Sequence, residues 1–496
     1  MTIRKITAAA IIAVATGAAC LANAQTSATS ELEQLKAQLA MLQERLAALE
    51  AAQTAQAATT TELQDSIDRT SDNLARTVGE GASSGWLGRW VWKGDLRVRN
   101  ENIDQEATLT DRNRNRFRLR VGAFARVNDT TRVELQLTTG EGADARSSNQ
   151  SFSDANSRKP LDVDTAYVEW APTDQWKFTA GKMRYPWVRT ASFFFDNDIN
   201  PEGVAANWQQ AANGFFGSVF LTQFAERATA ADSGMAGAQL GWRWQRSDGS
   251  RVLIAGAYYD HAAVRGYNPF QGASASSAGF GSFGNSTTTS AAICRRAVTT
   301  GSSCLANDYN VLELLGEYQF NVGEQPLLLY ANVAKNTEAN YAIATTSSAT
   351  TIPSGLDTAY AFGFNYGRAN ASIPGSWEIG YLYQMIEKDA LFGQWIDSDF
   401  AAGNTDGGGS ALRAAWQFLR NGRFNVTYML NETNHDVAAA VTLPTTRNVF
   451  DRDYRRLQVD FNFTYSFGGR SIDLRRGAGG GPGLPGPRRP PAGVRS

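Results

Sequence analysis

Residues 116–121, Arg-Phe-Arg-Leu-Arg-Val, alternate charged and apolar side chains without interruption. Successive side chains of a β-strand point to opposite faces of the sheet, so this strand has one basic face and one apolar face. The apolar face continues to residue 127, and a similar alternation recurs at 132–137. A soluble core would bury such a basic face. Lipid on one side and water on the other suit it, so the pattern predicts a transmembrane β-barrel.

The connections between the predicted strands alternate in length. Tight turns are predicted at 128–130, 172–174, 209–213, 247–249, 321–325, 366–376 and 421–422. Long polar loops are predicted at 140–160, 185–203, 222–234, 261–308, 336–356, 387–409 and 431–452. Short turns on one side and long loops on the other are typical of a membrane barrel. A soluble β-rich enzyme or lectin is the alternative, and it leaves both this alternation and the basic faces unexplained.

We therefore predict an all-β membrane protein, a transmembrane β-barrel of about 16 antiparallel strands at 94–467, whose sheet must close because lipid offers the backbone no partners. The predicted strand cores are 94–101, 116–127, 131–139, 163–171, 176–184, 203–208, 215–221, 235–244, 251–260, 310–320, 326–335, 357–365, 376–386, 410–420, 422–430 and 453–467. A barrel of about this size keeps an open aqueous lumen.

The N-terminus has the features of a secretory signal peptide, which we place at 1–24. Arg4 and Lys5 precede an apolar run at 6–21, and Ala22-Asn23-Ala24 forms a cleavage site. No later run of about 18 apolar residues predicts a membrane helix.

Leucines spaced alternately by three and four residues follow the signal peptide and form a heptad seam. They are Leu32, Leu35, Leu39, Leu42, Leu46 and Leu49, and the pattern resumes with Leu63, Ile67 and Leu74. We predict an α-helical, periplasmic coiled coil at 25–80 and a linker at 81–93. A helix packed on a soluble core is the alternative, which the polar residues off the seam disfavour.

Composition excludes several classes of function. The formal net charge is −1, which gives no indication of nucleic-acid binding. The chain has 2 His residues, which disfavours a His-based triad or a His-rich metal site. The carboxylate pairs Asp162/Asp164 and Asp397/Asp399 are interpreted as lumen or surface charges. With no catalytic motif, we expect no enzyme activity, no metal and no cofactor. Cys294 and Cys304 are close enough in sequence to form a small-loop disulfide.

Five segments in this order resemble the putative porin family of Gram-negative outer membranes. They are 94–99 (Gly-Asp-Leu-Arg-Val-Arg), the strand 112–127, 164–170 (Asp-Thr-Ala-Tyr-Val-Glu-Trp), 179–182 (Thr-Ala-Gly-Lys) and 200–204 (Asn-Pro-Glu-Gly-Val). The resemblance implies an outer-membrane channel in contact with lipid, usually a homotrimer, for passive diffusion of ions and small hydrophilic solutes. Family members usually end on an aromatic residue. Here Phe467 is followed by a Gly/Pro/Arg-rich tail at 468–496, which we predict to be disordered.

Two alternatives to a general channel remain open from the sequence. One is an anion- or phosphate-selective porin, which the dense arginine face supports. The other is a structural outer-membrane tether or adhesin with little conduction. The coiled coil or the tail is a candidate contact with peptidoglycan.

Pleat parity places a basic arc along one wall of the lumen. Its predicted pore-lining members are Arg97, Arg99, Arg116, Arg118, Arg120, Arg126, Arg132 and Arg456. The resemblance implies that the loop after the fifth strand, 185–203, folds into the lumen as a constriction. The run Phe193-Phe194-Phe195 on an outer loop favours burial. This constriction loop carries Arg189, Asp196, Asp198 and Glu202. We expect the three acids to face the basic arc across the constriction.

Overall fold

A computed structural model describes most of the predicted barrel. The described residues are 90–106, 111–140, 144–210, 213–228, 230–267, 281–295, 303–340, 343–344, 351–352, 355–437, 439–441 and 447–467. All of them belong to the unit Ala82–Ser496. The predicted signal peptide, coiled coil and tail, and the linker as far as residue 89, lie outside the described residues.

Sixteen long antiparallel strands form one closed sheet. The first and last strands pair with each other from Trp92–Phe467 to Gln105–Tyr454, which closes the barrel. The strands are β1 (Trp90–Gln105), β2 (Arg112–Arg126), β3 (Thr131–Thr138), β4 (Asp162–Trp170), β5 (Trp176–Lys182), β6 (Glu202–Gln209), β7 (Gly214–Ala225), β8 (Ser233–Gln245), β9 (Arg251–Ala262), β10 (Asn310–Val322), β11 (Gln325–Asn336), β12 (Thr358–Gly367), β13 (Trp377–Ile386), β14 (Gly407–Leu419), β15 (Gly422–Thr433) and β16 (Arg452–Phe467). The predicted closed barrel of sixteen strands is confirmed.

The sheet is apolar outside and polar inside. On β8 the outward Leu240 is 62% exposed, whereas the adjacent, inward Gln239 is 4% exposed. Trp242 and Trp244 continue the outward face of the same strand. Apolar side chains are exposed and polar ones are buried, which is the reverse of a soluble protein. A barrel wall that faces lipid requires this arrangement.

Local side-chain chemistry explains the tight turns. Between β2 and β3, Asn128 Oδ1 accepts hydrogen bonds from the backbone N–H groups of Thr130 (3.0 Å) and Thr131 (2.8 Å). Between β14 and β15, Asn421 adopts a φ of 61°, a conformation that asparagine tolerates better than most residues.

The described residues contain only short 3-10 turns, such as Gly393–Trp395, apart from strands and irregular segments. None of the described helices has the length and hydropathy of a membrane span.

Two long loops fold into the barrel, L3 (183–201) and L7 (387–406). Their apolar side chains form one buried cluster with inward residues of β6 to β15. The loop between β9 and β10 packs on L7, where Asn285 Nδ2 donates to the carbonyl oxygen of Leu391 at 2.9 Å. The same loop contains a disulfide between Cys294 and Cys304, the pair that the sequence indicated.

Candidate pore lining

Neighbouring strands align the arginines of β1, β2 and β16 in rows across the inner wall. In one row Arg97 lies between Arg118 and Asn462. The row nearer the loops holds Asp460, Arg99 and Arg116. We call Arg97, Arg99, Arg116, Arg118, Arg120 and Arg456 the arginine arc.

Most of the arginine arc is paired with carboxylates. Arg99 Nε lies 2.6 Å from Asp460 Oδ1, and Arg118 Nη2 lies 2.7 Å from Asp95 Oδ1. Arg456 is 3% exposed and bonds Glu101, which is fully buried. The arc is therefore a network of ion pairs and not a row of free charges.

Two predicted pore-lining arginines lie apart from the arc. Arg126 is half exposed at the turn end of β2 and bonds Asp129 at 2.7 Å. Arg132 lies 3.9 Å from Glu169 on the neighbouring strand. Both lie beside the tight turn that joins β2 to β3, nearer the turn end of the barrel than the arc.

Aromatic packing carries L3 across the lumen. Trp187, 2% exposed, stacks on Phe220 of β7 with ring centroids 4.4 Å apart. Farther along, the backbone N–H of Phe193 donates to Gln384 Oε1 on β13 at 2.9 Å. The loop thus spans from β5 to the opposite wall, as the three consecutive phenylalanines indicated.

The charged residues of L3 have three different environments. Asp198 bonds Arg120 and lies 3.7 Å from Arg118, so this acid meets the arc directly. Asp196 faces L7 instead, where its Oδ2 accepts from the backbone N–H of Ser398 at 2.9 Å. Arg189 stacks over the ring of Tyr185 at 3.9 Å.

The expectation that Glu202 faces the arc is wrong. Its side chain is 64% exposed and bonds Lys182 at 2.9 Å. Glu202 begins β6 and has the same parity as the outward Val204, so the pleat directs it away from the lumen.

The sequence prediction missed L7 as a second constricting element. Its backbone bonds L3 twice, from Asp196 N to the Trp395 oxygen (2.8 Å) and from Asp397 N to the Phe193 oxygen (3.2 Å). Asp399 Oδ2 lies 2.9 Å from Arg99 Nη1, and its Oδ1 lies 2.7 Å from Arg456 Nη2. The apolar residues at 391–396 were the available signal, since the argument applied to the phenylalanines of L3 holds for them too.

Each inward loop holds one acid on the arc and one acid away from it, and their pKa values differ accordingly. Burial raises the pKa of Asp397 to about 6, and the charge of Asp399 adds to this shift. Burial, with help from Asp397, raises the pKa of Asp196 well above its usual range. Burial acts in the same direction on Asp198 and Asp399. There the nearby arginines outweigh it, and both pKa values fall below the usual range.

The family model described as Putative porin matches residues 96–441. The chain belongs to this family. It is a porin-type outer-membrane barrel, and the resemblance seen in the sequence is confirmed.

Comparisons with individual proteins add two distant structures. No curated protein matches this porin. The porin is similar to the trimer form of in-vitro folded OmpT from Vibrio cholerae, at 14% identity and a TM-score of 0.40 over 76% of this chain and 99% of that chain. It is also similar to a triple mutant of a Rhodopseudomonas blastica porin, at 10% identity and a TM-score of 0.39 over 75% of this chain and 100% of that chain.

The lumen of the porin carries further arginines outside the arc, on β8 and β9 opposite it and on β14 and β15 beside it. Arg243 on β8, Arg251 on β9, Arg413 on β14 and Arg423 on β15 share the inward parity of their strands. In the described part of the chain none of these four arginines has a carboxylate oxygen within 4.0 Å. The arginine arc is largely ion-paired, whereas this second set has only longer-range acidic neighbours. Glu317 acts on Arg243 and Arg251, and Glu378 acts on Arg413 and Arg423.

Proposed function

We propose that this porin carries small hydrophilic solutes and ions across the outer membrane by passive diffusion, with a preference for anions. The observation that carries the proposal is the set Arg243, Arg251, Arg413 and Arg423, which has no ion pair among the described residues and outnumbers the nearby acids Glu317 and Glu378. Charges that line a pore concentrate counter-ions and repel ions of the same sign.

The L3–L7 contact supports a selective filter and not an open tube. The two loops cross the lumen and bond each other, while Asp198 and Asp399 bond the arginine arc. A solute passing this level meets the fixed charges of the arginine arc, Asp198 and Asp399, which favours hydrated polar solutes over apolar ones. Passage needs no chemical conversion, so we propose no enzymatic step.

We further propose a homotrimer with the predicted coiled coil on the periplasmic side. An even number of strands places both ends of the barrel on the same side as the short turns. The predicted coiled coil at 25–80 precedes β1 in the sequence, which is our reason for proposing that it lies on that side.

Single-channel recording tests the function. Mature chain 25–496, refolded and placed in a planar bilayer, should give conductance steps grouped in threes and an anion-side reversal potential across a tenfold KCl gradient. The variant R243Q/R251Q/R423Q should shift that potential toward the cation side. R246Q is the matched control, because Arg246 is 58% exposed at a turn and lies 3.7 Å from Asp248.

Three results would contradict the proposal in different ways. Cation preference in the unchanged chain would refute the anion preference. An unchanged reversal potential in the triple variant would remove the three substituted arginines as its cause. A folded barrel that gives no steps would leave the structural tether.

A further inference from the structure

Arg97 lies in a row of the arc's inner wall that has no acid on β1, β2 or β16. Its row partners are Asn462 and Arg118. The row nearer the loops contains Asp460, and the row nearer the turns contains Asp95. Asp460 bonds Arg99 and Asp95 bonds Arg118, so both neighbouring carboxylates are already engaged.

The guanidinium of Arg97 has one hydrogen-bond partner among the described residues. Its Nη2 donates to Asn149 Oδ1, a neutral amide of the loop between β3 and β4. Its Nε is buried without an acceptor. No carboxylate oxygen of the described chain lies within 4.0 Å of it, although every other arginine of the arc has one.

Arg97 is mostly buried but keeps some exposure, whereas Arg99 and Arg116 on the loop side are 5% and 4% exposed. A buried donor without an acceptor is energetically unfavourable, and Arg97 lies beside the like charges of Arg99 and Arg118 without a direct ion pair of its own. The charges of Asp198 and Asp460 reach it only at longer range. The site therefore has the charge and the free donors for an anion that arrives from the channel.

We propose that Arg97 is a binding point for a solute monocarboxylate within the pore. This inference rests on the proposed channel function and adds the class of solute. A carboxylate presents two coplanar oxygens that match the guanidinium fork. One negative charge compensates Arg97, and the neutral Asn462 lies beside it in the same row. A phosphate dianion would bring a second charge, and the neighbouring arginines are already paired.

Propionate is the probe, with propionamide as the uncharged analogue and inorganic phosphate as the competing anion. Single-channel current in KCl should fall with propionate concentration, and propionamide should have no effect. Arg97→Gln should weaken this block at least tenfold, with the steps in KCl retained. Arg97→Lys, which keeps the charge and loses the fork, should give an intermediate block. Arg126→Gln, on the exposed Arg126–Asp129 pair, is the matched control and should leave the block unchanged.

Calorimetric titration of propionate into the detergent-folded barrel measures binding independently of ion conduction. Heat of binding that disappears in Arg97→Gln supports the site even if channel recording fails. Equal block or equal heat in the wild type and Arg97→Gln overturns it, and so does tighter binding of phosphate than of propionate. An anion-selective channel that propionate does not block leaves the proposed function intact and refutes this inference.

Discussion

Asp399→Asn should release L7 from the arginine arc. The carboxylate of Asp399 accepts hydrogen bonds from Arg99 (2.9 Å) and Gln458 (2.8 Å) and also lies 2.7 Å from Arg456 Nη2. Breaking a buried ion pair costs about 3–5 kcal/mol when it leaves a charge unpaired. Arg99 keeps Asp460, and Arg456 keeps Glu101, so the loss is smaller.

The expected magnitude follows from the bonds that are lost. A hydrogen bond to a charged group contributes about 1.5–3 kcal/mol, and asparagine retains part of the set, so we expect a loss of about 2–3 kcal/mol. Since each 1.4 kcal/mol is a factor of ten, the open form of L7 should become about 30- to 150-fold more populated.

Hydrogen exchange measures this opening directly. The backbone N–H groups of Ser398 and Phe400 are hydrogen-bonded within the L3–L7 contact, to Asp196 and Asp397. They should exchange faster by the same factor, while the amides of the strands stay protected. Asp129→Asn is the control, because that acid is 96% exposed and its pair with Arg126 contributes at most about 1 kcal/mol. Unchanged protection in Asp399→Asn, or equal loss in both variants, would refute the reasoning.

Three further predictions concern the same interior. Trp187→Ala removes the stack on Phe220 and should destabilise L3 by about 3–5 kcal/mol. The thermal transition seen by near-UV circular dichroism should then shift to lower temperature, while the far-UV transition of the barrel stays where it is. A shift of both transitions together would argue against a separate transition of L3. Because the pKa of Asp397 is raised to about 6, its stabilising effect is complete at low pH and is lost as pH rises through 6. Corrected exchange of L7 amides should therefore be slower at pH 5 than at pH 7.5. In Asp397→Asn the difference should become smaller, with the remainder coming from Asp196, whose pKa is also raised; an unchanged difference would exclude Asp397 as a cause. Reduction of Cys294–Cys304 should speed proteolysis of the loop between β9 and β10 and leave the conductance steps unchanged, so a changed conductance would assign that loop a part in the pore.

The barrel was predictable because its signal is local. The two-residue period at 116–121 shows in the sequence which face meets water, and each Asn- or Asp-containing turn marks a strand end. All sixteen predicted strand cores overlap an observed strand. The signal fails at boundaries: Glu202 was assigned to the preceding loop, and as the first residue of β6 it faces outward.

The contents of the lumen were less predictable because they depend on contacts between distant segments. Asp399 is 300 residues from Arg99 in the chain, and no periodicity marks that pair. The inward path of L3 came from family resemblance and the phenylalanine run, whereas L7 had only an apolar segment that was read as an outer loop. Asp196 was expected on the arc, but L7 provides a nearer donor in Ser398 N.

Asp399 also contacts the seam at which the barrel closes. Its two oxygens lie within bonding distance of Arg99 on β1 and Arg456 on β16, the strands that meet last when the sheet becomes a cylinder. A single carboxylate from L7, about fifty residues before β16 in the chain, thus bonds both edge strands from inside the barrel. The position of L7 is therefore tied to the place where the sheet closes, through the two arginines that Asp399 bonds.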